Sequence, residues 1–317
     1  MIRWHEVAAG LGVAVLVGFG CGNKAAEHKP PPATVTEDAA SAPGAADPEH
    51  QVLVITGVAV KVVDPATPRE IYPQLLAKQA GQILTRSPAI LGEREPVPDG
   101  ATVRRAKMEL VIHYGISDEG TDIGCAVTAR VVWEQGDDLA ASADVLAQRP
   151  IKAGDRDNLD GLIAEHVERA VIQAAQVVAA KETLRTASEA EILAAMDGDD
   201  QELVAWALTV AAKRGMKSAV DPAIALLASR SRMVVDAAIG ALANLHARRA
   251  VPSLTALSDP DDGIRTRTLI EALAVIGGDD AEVFLDYVAS GHPDPAIRHQ
   301  AKDALAHIRT PTAQSSP

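Results

Sequence analysis

Cysteine is nearly absent from this chain of 317 residues: there are two, Cys21 and Cys125, too few for a disulfide framework, so the fold must stand without covalent staples. Aromatic residues make up only 3% of the chain, against 47% hydrophobic residues overall. A core must therefore be built from Ala, Val, Leu and Ile, and short aliphatic side chains suit closely stacked helices. Positive charge is scarce as well. With 30 Lys and Arg against 43 Asp and Glu, the net charge is −13, which disfavours a phosphate-backbone binder and removes nucleic acid from the expected partners. Catalytic signatures are missing too: the chain contains no His-Glu-x-x-His, no Gly-x-Ser-x-Gly, no Walker loop and no Cys-x-x-Cys. No catalytic, metal or cofactor site is expected.

Near the N-terminus, Arg3 precedes an uncharged run of 14 residues, Val7 to Gly20, and Cys21 follows it. That order reads as a secretory signal over residues 1–20, and the run is too short to span a bilayer comfortably. The site resembles the lipobox of bacterial lipoproteins, with Gly18 where Leu is usual and Phe19 where a small residue is commoner. The resemblance implies a diacylglyceryl group on Cys21 and a lipid anchor in the membrane; the alternative is an uncleaved short anchor with Cys21 a bystander. Gly22 after the cysteine, where some lineages use Asp as a retention signal, implies an outer-membrane location facing the periplasm. Residues 21–50 carry Pro30, Pro31, Pro32, Pro43 and Pro48 among small and polar residues, the composition of a disordered tether.

Residues 51–184 read as a small two-layer α+β domain in the order β-α-β-β-(β)-α. Val52 to Val63 is a β-branched run ending at Asp64-Pro65, and Ile71, Leu75, Leu76, Ala80, Ile83 and Leu84 recur at helical spacing. The Pro- and Gly-rich stretch 87–101 reads as an irregular loop. Two alternations follow: Ala106, Met108, Leu110, Ile112 and Tyr114, then Ile123, Cys125, Val127, Ala129, Val131 and Trp133. A weaker strand is expected over Leu139–Ala147. Leu159, Leu162, Ile163, His166, Val167, Ala170, Val171, Ala174, Val177 and Val178 then trace one stripe of a long helix, in which His166 is expected as a hydrogen-bonded core residue.

From residue 188 to 310 the chain repeats itself with a period of 31 to 32. Gly215, His246 and Gly277 share one slot, Ala219, Ala250 and Ala281 another, and Leu242, Leu273 and Leu305 a third. Each unit reads helix, turn, helix, with a Gly or polar residue ending the first helix and a small Ala opening the second. Asp259-Pro260-Asp261 with Ile264-Arg265, and His292-Pro293-Asp294-Pro295 with Ile297-Arg298, carry a resemblance to HEAT repeats of the short bacterial kind named after phycobilisome lyase subunits. That resemblance implies an all-α solenoid of about 3.5 units, closed at its start by a helix over Ser188–Met196 and followed by a disordered tail at 311–317. It also implies that Arg265 and Arg298 tie adjacent repeats through an aspartate.

The remaining candidates are weighed against ordinary structural roles. His246, His292, His299 and His307 lie in the array without metal-ligand spacing and are expected at the surface. Asp197-Gly198-Asp199-Asp200, Asp259-Pro260-Asp261-Asp262 and Asp279-Asp280 are expected at helix N-termini, where carboxylates cap free amides. Arg230, Arg232, Arg248, Arg249, Arg265 and Arg267 form the main basic concentration, and the first four are the candidates for contact with a protein partner. The combined expectation is a membrane-tethered, non-enzymatic protein-binding scaffold. The runner-up is a lyase-like or enzyme-accessory protein in which His113, Glu109 or Arg130 of the α+β domain supplies the chemistry.

Overall fold

A computed structural model describes residues 51–63, 68–117, 119–135 and 139–309. The leader, Cys21, the tether and the tail at 311–317 lie outside the described residues. The chain divides into two compact units, Met1–Ala179 and Ala180–Pro317.

In the first unit, five strands form one mixed sheet in the order β2-β1-β3-β4-β5. They are β1 (Gln51–Val62), β2 (Ile90–Gly92), β3 (Thr102–Ile116), β4 (Asp122–Trp133) and β5 (Ser142–Pro150). β1 pairs in parallel with β2 and β3, whereas β3 with β4 and β4 with β5 are antiparallel. A parallel pair needs a crossover, and α1 (Pro73–Leu84), with Pro73 in its first turn, lies in the connection between β1 and its parallel partners.

The stretch 87–101 is not wholly irregular, as expected from its prolines and glycines: Ile90–Gly92 pair with Leu53–Ile55. Three residues are too few to show an alternation, and the strand is held by the fully buried Ile90. β5 begins at Ser142 rather than Leu139. Its edge position tolerates small residues, because Ala141, Ala143 and Val145 are enough to cover the buried side.

The two alternations become the covered face of the sheet, with Met108, Leu110, Ile112, Ile123, Cys125 and Val127 all sealed from solvent. Burial pushes the Cys125 thiol up to about 12, so it stays protonated and packs as a small apolar group. Helix α2 (Leu159–Thr186) buries Ile163, Val167, Ala170, Val171, Ala174 and Val178 along the expected stripe. His166 is buried on it, but its Nε2 has no hydrogen-bond partner. Ile163, Val167 and Ala170, its neighbours along the stripe, are aliphatic and offer that nitrogen no partner.

The second unit begins within the last turns of α2. It continues through α3 (Glu189–Met196), α4 (Gln201–Lys213), α5 (Val220–Leu226), α6 (Arg232–Asn244), α7 (Val251–Thr255), α8 (Gly263–Ile276), α9 (Asp279–Gly291) and α10 (Pro295–Arg309). α4, α6, α8 and α10 pack each on the next, and α7 packs on α9. The expected capping box opens α3: Glu191 N–H is bonded by the Ser188 hydroxyl, and the Ser188 backbone N–H donates to the Glu191 carboxylate. The Ser188 hydroxyl, which donates to the Glu191 carboxylate at 2.7 Å, and then the Ser188 N–H hold the Glu191 carboxyl below the usual range.

All three members of the first repeated slot adopt left-handed backbone, at φ 67° for Gly215, 48° for His246 and 65° for Gly277. At the first two, the following N–H reaches back across the turn, Met216 to Ala211 and Ala247 to Leu242, at 3.0 Å each. His246 occupies a conformation that favours glycine, and its Nδ1 lies 2.9 Å from the Val275 carbonyl oxygen. Since a carbonyl only accepts, Nδ1 carries the proton there. The third turn differs: Gly277 and Gly278 both have positive φ, and α9 starts at once, giving 13 residues where α5 has 7 and α7 has 5.

Two glycines give opposite signs when a methyl group is added. Gly277 has φ 65° and ψ −172°, a region nearly reserved for glycine, so Gly277→Ala should cost about 1–3 kcal/mol. Gly240 sits inside α6 with open space where its Cβ would be, so Gly240→Ala should stabilise by about 0.5–1 kcal/mol. Denaturant unfolding of both variants checks the pair; equal signs would contradict the assigned turn.

Candidate functional site

The surface able to meet a partner is set by what the repeats leave free after holding one another. Side chains cross between neighbouring units both to backbone carbonyls and to carboxylates. Arg214 at the end of α4 donates to Ala187 O at 2.6 Å and to Arg185 O, while Lys217 Nζ donates to Leu245 O at 2.6 Å. A buried polar cluster sits where α2 meets α4. Arg185 Nε donates to Glu182 at 2.7 Å, Lys181 Nζ pairs with Glu202 at 2.7 Å, and Trp206 Nε1 donates to Lys181 O at 2.7 Å. Lys181, Glu182 and Arg185 are removed from water, so their charges depend on partners to remain there.

Among the arginines, Arg265 Nη1 lies 3.3 Å from Asp236 Oδ1, an ion-pair distance without hydrogen-bond alignment, and links α8 to α6. Arg298 does not follow the expectation. It donates to His292 O and Pro293 O of its own loop, because the His-Pro-Asp-Pro turn presents carbonyls nearer than any aspartate of the preceding unit. Arg267 makes the link at that step instead, 3.5 Å from Asp294.

The four arginines expected to face a partner are exposed but do not form one free patch. Arg249 pairs with Asp221 at 2.9 Å and Arg232 with Asp236 at 3.6 Å. Arg248 occupies the same slot as Lys217, 31 residues on, and its Cδ and Nε border Gly278 of the next unit. Arg230 stands apart in the turn before Ser231. A shared period brings the residues near one another, but local carboxylates take up part of their charge.

Residues 189–274 match the family model of HEAT repeats. That segment is a HEAT repeat region. Comparison of the chain with curated proteins finds no match. The slots of the HEAT region continue past it, with Ala281 fully buried and Leu305 buried in step with Leu273 and Leu242.

Around the HEAT repeats, two of the three acidic runs cap helices as expected, whereas Asp279 and Asp280 lie in the first turn of α9, whose N-cap is Gly278 without a side-chain cap bond. Asp200 accepts from the N–H groups of Glu202 and Leu203, and Asp262 accepts from Arg265 N–H. Among the described residues, no group of His, Cys, Asp and Glu is arranged to hold a metal ion. His299 and His307 are exposed, but His292 is buried, its Nδ1 accepting from Asp294 N–H and its Nε2 lacking a partner. The proline-bounded turn folds the ring inward to hold its own backbone, so this histidine departs from the expected surface position.

On the open face of the sheet, Arg130 closes on Glu109 with bonds of 2.9 and 2.6 Å. His113 faces Ala126 four residues further along β3. The candidate chemistry of the runner-up is thus divided between a satisfied ion pair and a separate imidazole. A cavity of about 30 Å³ between α1 and α2, lined by Ile71, Tyr72, Leu76, Val167 and Glu168, has room for a water molecule rather than a ligand.

Sequence reasoning missed the carbonyl-directed ties of Arg214 and Lys217 because a lone cation in a turn reads like any solvated one. It also missed the exposed apolar side of α9, where Val283 and Tyr287 stand one helical turn apart. Arg265 and Arg249 separate a structural arginine from a surface one. Arg265 is 14% exposed and Arg249 is 58% exposed. Arg265→Ala should cost about 1–3 kcal/mol through the lost packing of its buried stem, whereas Arg249→Ala should stay within about 0.5 kcal/mol. Equal effects on thermal unfolding would contradict this division.

Proposed function

We propose that this chain is a membrane-tethered envelope lipoprotein that acts as a non-enzymatic scaffold, binding a protein partner through its HEAT repeats. The observation that carries the reading is the array itself: HEAT repeats commonly mediate protein binding, and each unit here spends its buried face on its neighbours. What remains exposed is a succession of helix faces repeated at fixed intervals, a surface suited to another folded chain rather than to a small molecule. The anchor rests on Cys21 directly after the uncharged run, and the Pro-rich stretch to residue 50 would lift the repeats away from the bilayer. A coil of that length has an end-to-end distance of roughly 30 Å.

Fractionation and capture test the two halves separately. Cys21→Ser should move the protein out of the membrane fraction or leave it unprocessed, because the thiol that would carry the lipid is gone. Equal membrane retention would remove the lipid anchor from the reading. Capture from detergent-solubilised envelope should then yield a stoichiometric protein partner that is lost when the array is disrupted, for example by Leu242→Ala, which empties a fully buried site between its helices at a cost of about 2–5 kcal/mol. A partner retained equally by that variant would place binding outside the repeats.

A further inference from the structure

The second helix of the third unit differs from its counterparts. Counting back by the 31-residue period, Val283 corresponds to Pro252 and Asp221, and Tyr287 to Ala256 and Ala225. All six positions are exposed, so they lie on one open side of the array. In the first two units that side is covered by small or polar residues. In the third it carries a valine and a tyrosine one turn apart, 70% and 71% exposed, the two most exposed large apolar side chains among the described residues.

The helix does not need these side chains for its own packing. Ala281, Leu285, Val288 and Ala289 already form its buried side, and Leu285, Val288 and Ala289 join Ile270, Ile297, Ala301 and Leu305 in one core cluster. Val283 and Tyr287 stand opposite that cluster. Residues spaced three and four apart share a helix face, which puts Asp279, Asp280, Asp286 and Ser290 beside them, all exposed. α9 contains four carboxylates and no Lys or Arg. Glu282 is closed on Arg309 at 3.0 Å, and Arg248 borders Gly278 at the helix start. Among the described residues, no cation lies within ion-pair distance of Asp280 or Asp286.

We propose that this face of α9 is a docking surface for a basic, amphipathic protein segment, whose apolar side covers Val283 and Tyr287 while its Lys or Arg residues meet Asp280 and Asp286. The inference rests on the scaffold reading and names the chemistry of its partner. Charge complementarity selects the occupant. An acidic segment would bring like charges together, and a second copy of this chain, itself at −13, would bring its own carboxylates. A tyrosine ring in reach of a cation adds a cation–π contact, and aromatic side chains are the usual centres of such interfaces. The partner expected here is opposite in charge to the acidic one implied by an arginine-lined site.

The test uses the full chain in detergent and a fluorescent 18-residue peptide of Leu and Lys arranged as an amphipathic helix, followed by anisotropy at low and physiological salt. The wild type should bind it, and Val283→Ser with Tyr287→Ser should weaken binding at least about tenfold without altering the circular dichroism. Asp280→Asn with Asp286→Asn should weaken binding several-fold at low salt and flatten its salt dependence. Equal binding by both double variants, or by a Ser and Lys peptide of the same charge, would overturn the proposal in favour of diffuse attraction to an acidic protein. A wild-type dimer in sedimentation that the Val283/Tyr287 variant abolishes would overturn it in favour of self-association. An envelope partner captured equally by the wild type and the Val283/Tyr287 variant would overturn this surface while leaving the scaffold reading intact.

Discussion

Ala219, Ala250 and Ala281 are sealed from solvent at the start of the second helix in three successive units, and the geometry of the array depends on the room they leave. Each follows a turn that contains positive φ, at one residue in the first two turns and at two in the third, so the chain reverses sharply and brings the next helix back against the one just completed. A larger side chain at the alanine would push the helices apart, and an ordinary backbone at the turn would send the second helix elsewhere. The two constraints act together once per period.

Stacking follows from that repeated reversal. α4, α6, α8 and α10 present aliphatic faces to one another, and few aromatics are needed because small side chains fill the narrow gaps between helices. Polar side chains then fasten one unit to the next by reaching carbonyls, as Arg214, Lys217 and His246 do. Such bonds are tolerant of sequence, since every residue supplies a carbonyl oxygen. They leave the outer helix faces available, and among the second helices of the three units α9 carries a valine and a tyrosine where α5 and α7 carry small or polar residues.

Much of this was legible in the order of residues. A slot shared by Gly215, His246 and Gly277 announced three equivalent turns, and the structure gives all three the same sign of φ. Alternation identified the buried face of β3 residue by residue and that of β4 from Ile123 to Val131, while Trp133 is only half-buried and Gly124 and Ala126 of the opposite face are buried as well. The losses have physical causes. Ile90–Gly92 is too short to show a period, and Arg298 found carbonyls in its own proline-bounded loop before any aspartate next door. His166 and His292 illustrate a further limit. Helical spacing located the first on a buried stripe, but neither position reveals which ring nitrogen will find a partner. The expected arginine site was read from a count of like charges along the chain, whereas the carboxylates that take up part of that charge are Asp221, in α5 of the preceding unit, and Asp236, one turn on along the same face of α6.

Hydrogen exchange on full-length Ala250→Leu tests the central dependence most directly. Ala250 is fully buried at the start of α7, so enlarging it should overpack that contact and cost about 1–3 kcal/mol. Loss of protection should be greatest in α6 and α7, spread to α4 and α8, and leave the amides of β3 and β4 unchanged. Unchanged protection throughout the repeats, or an equal loss in the sheet, would contradict the account.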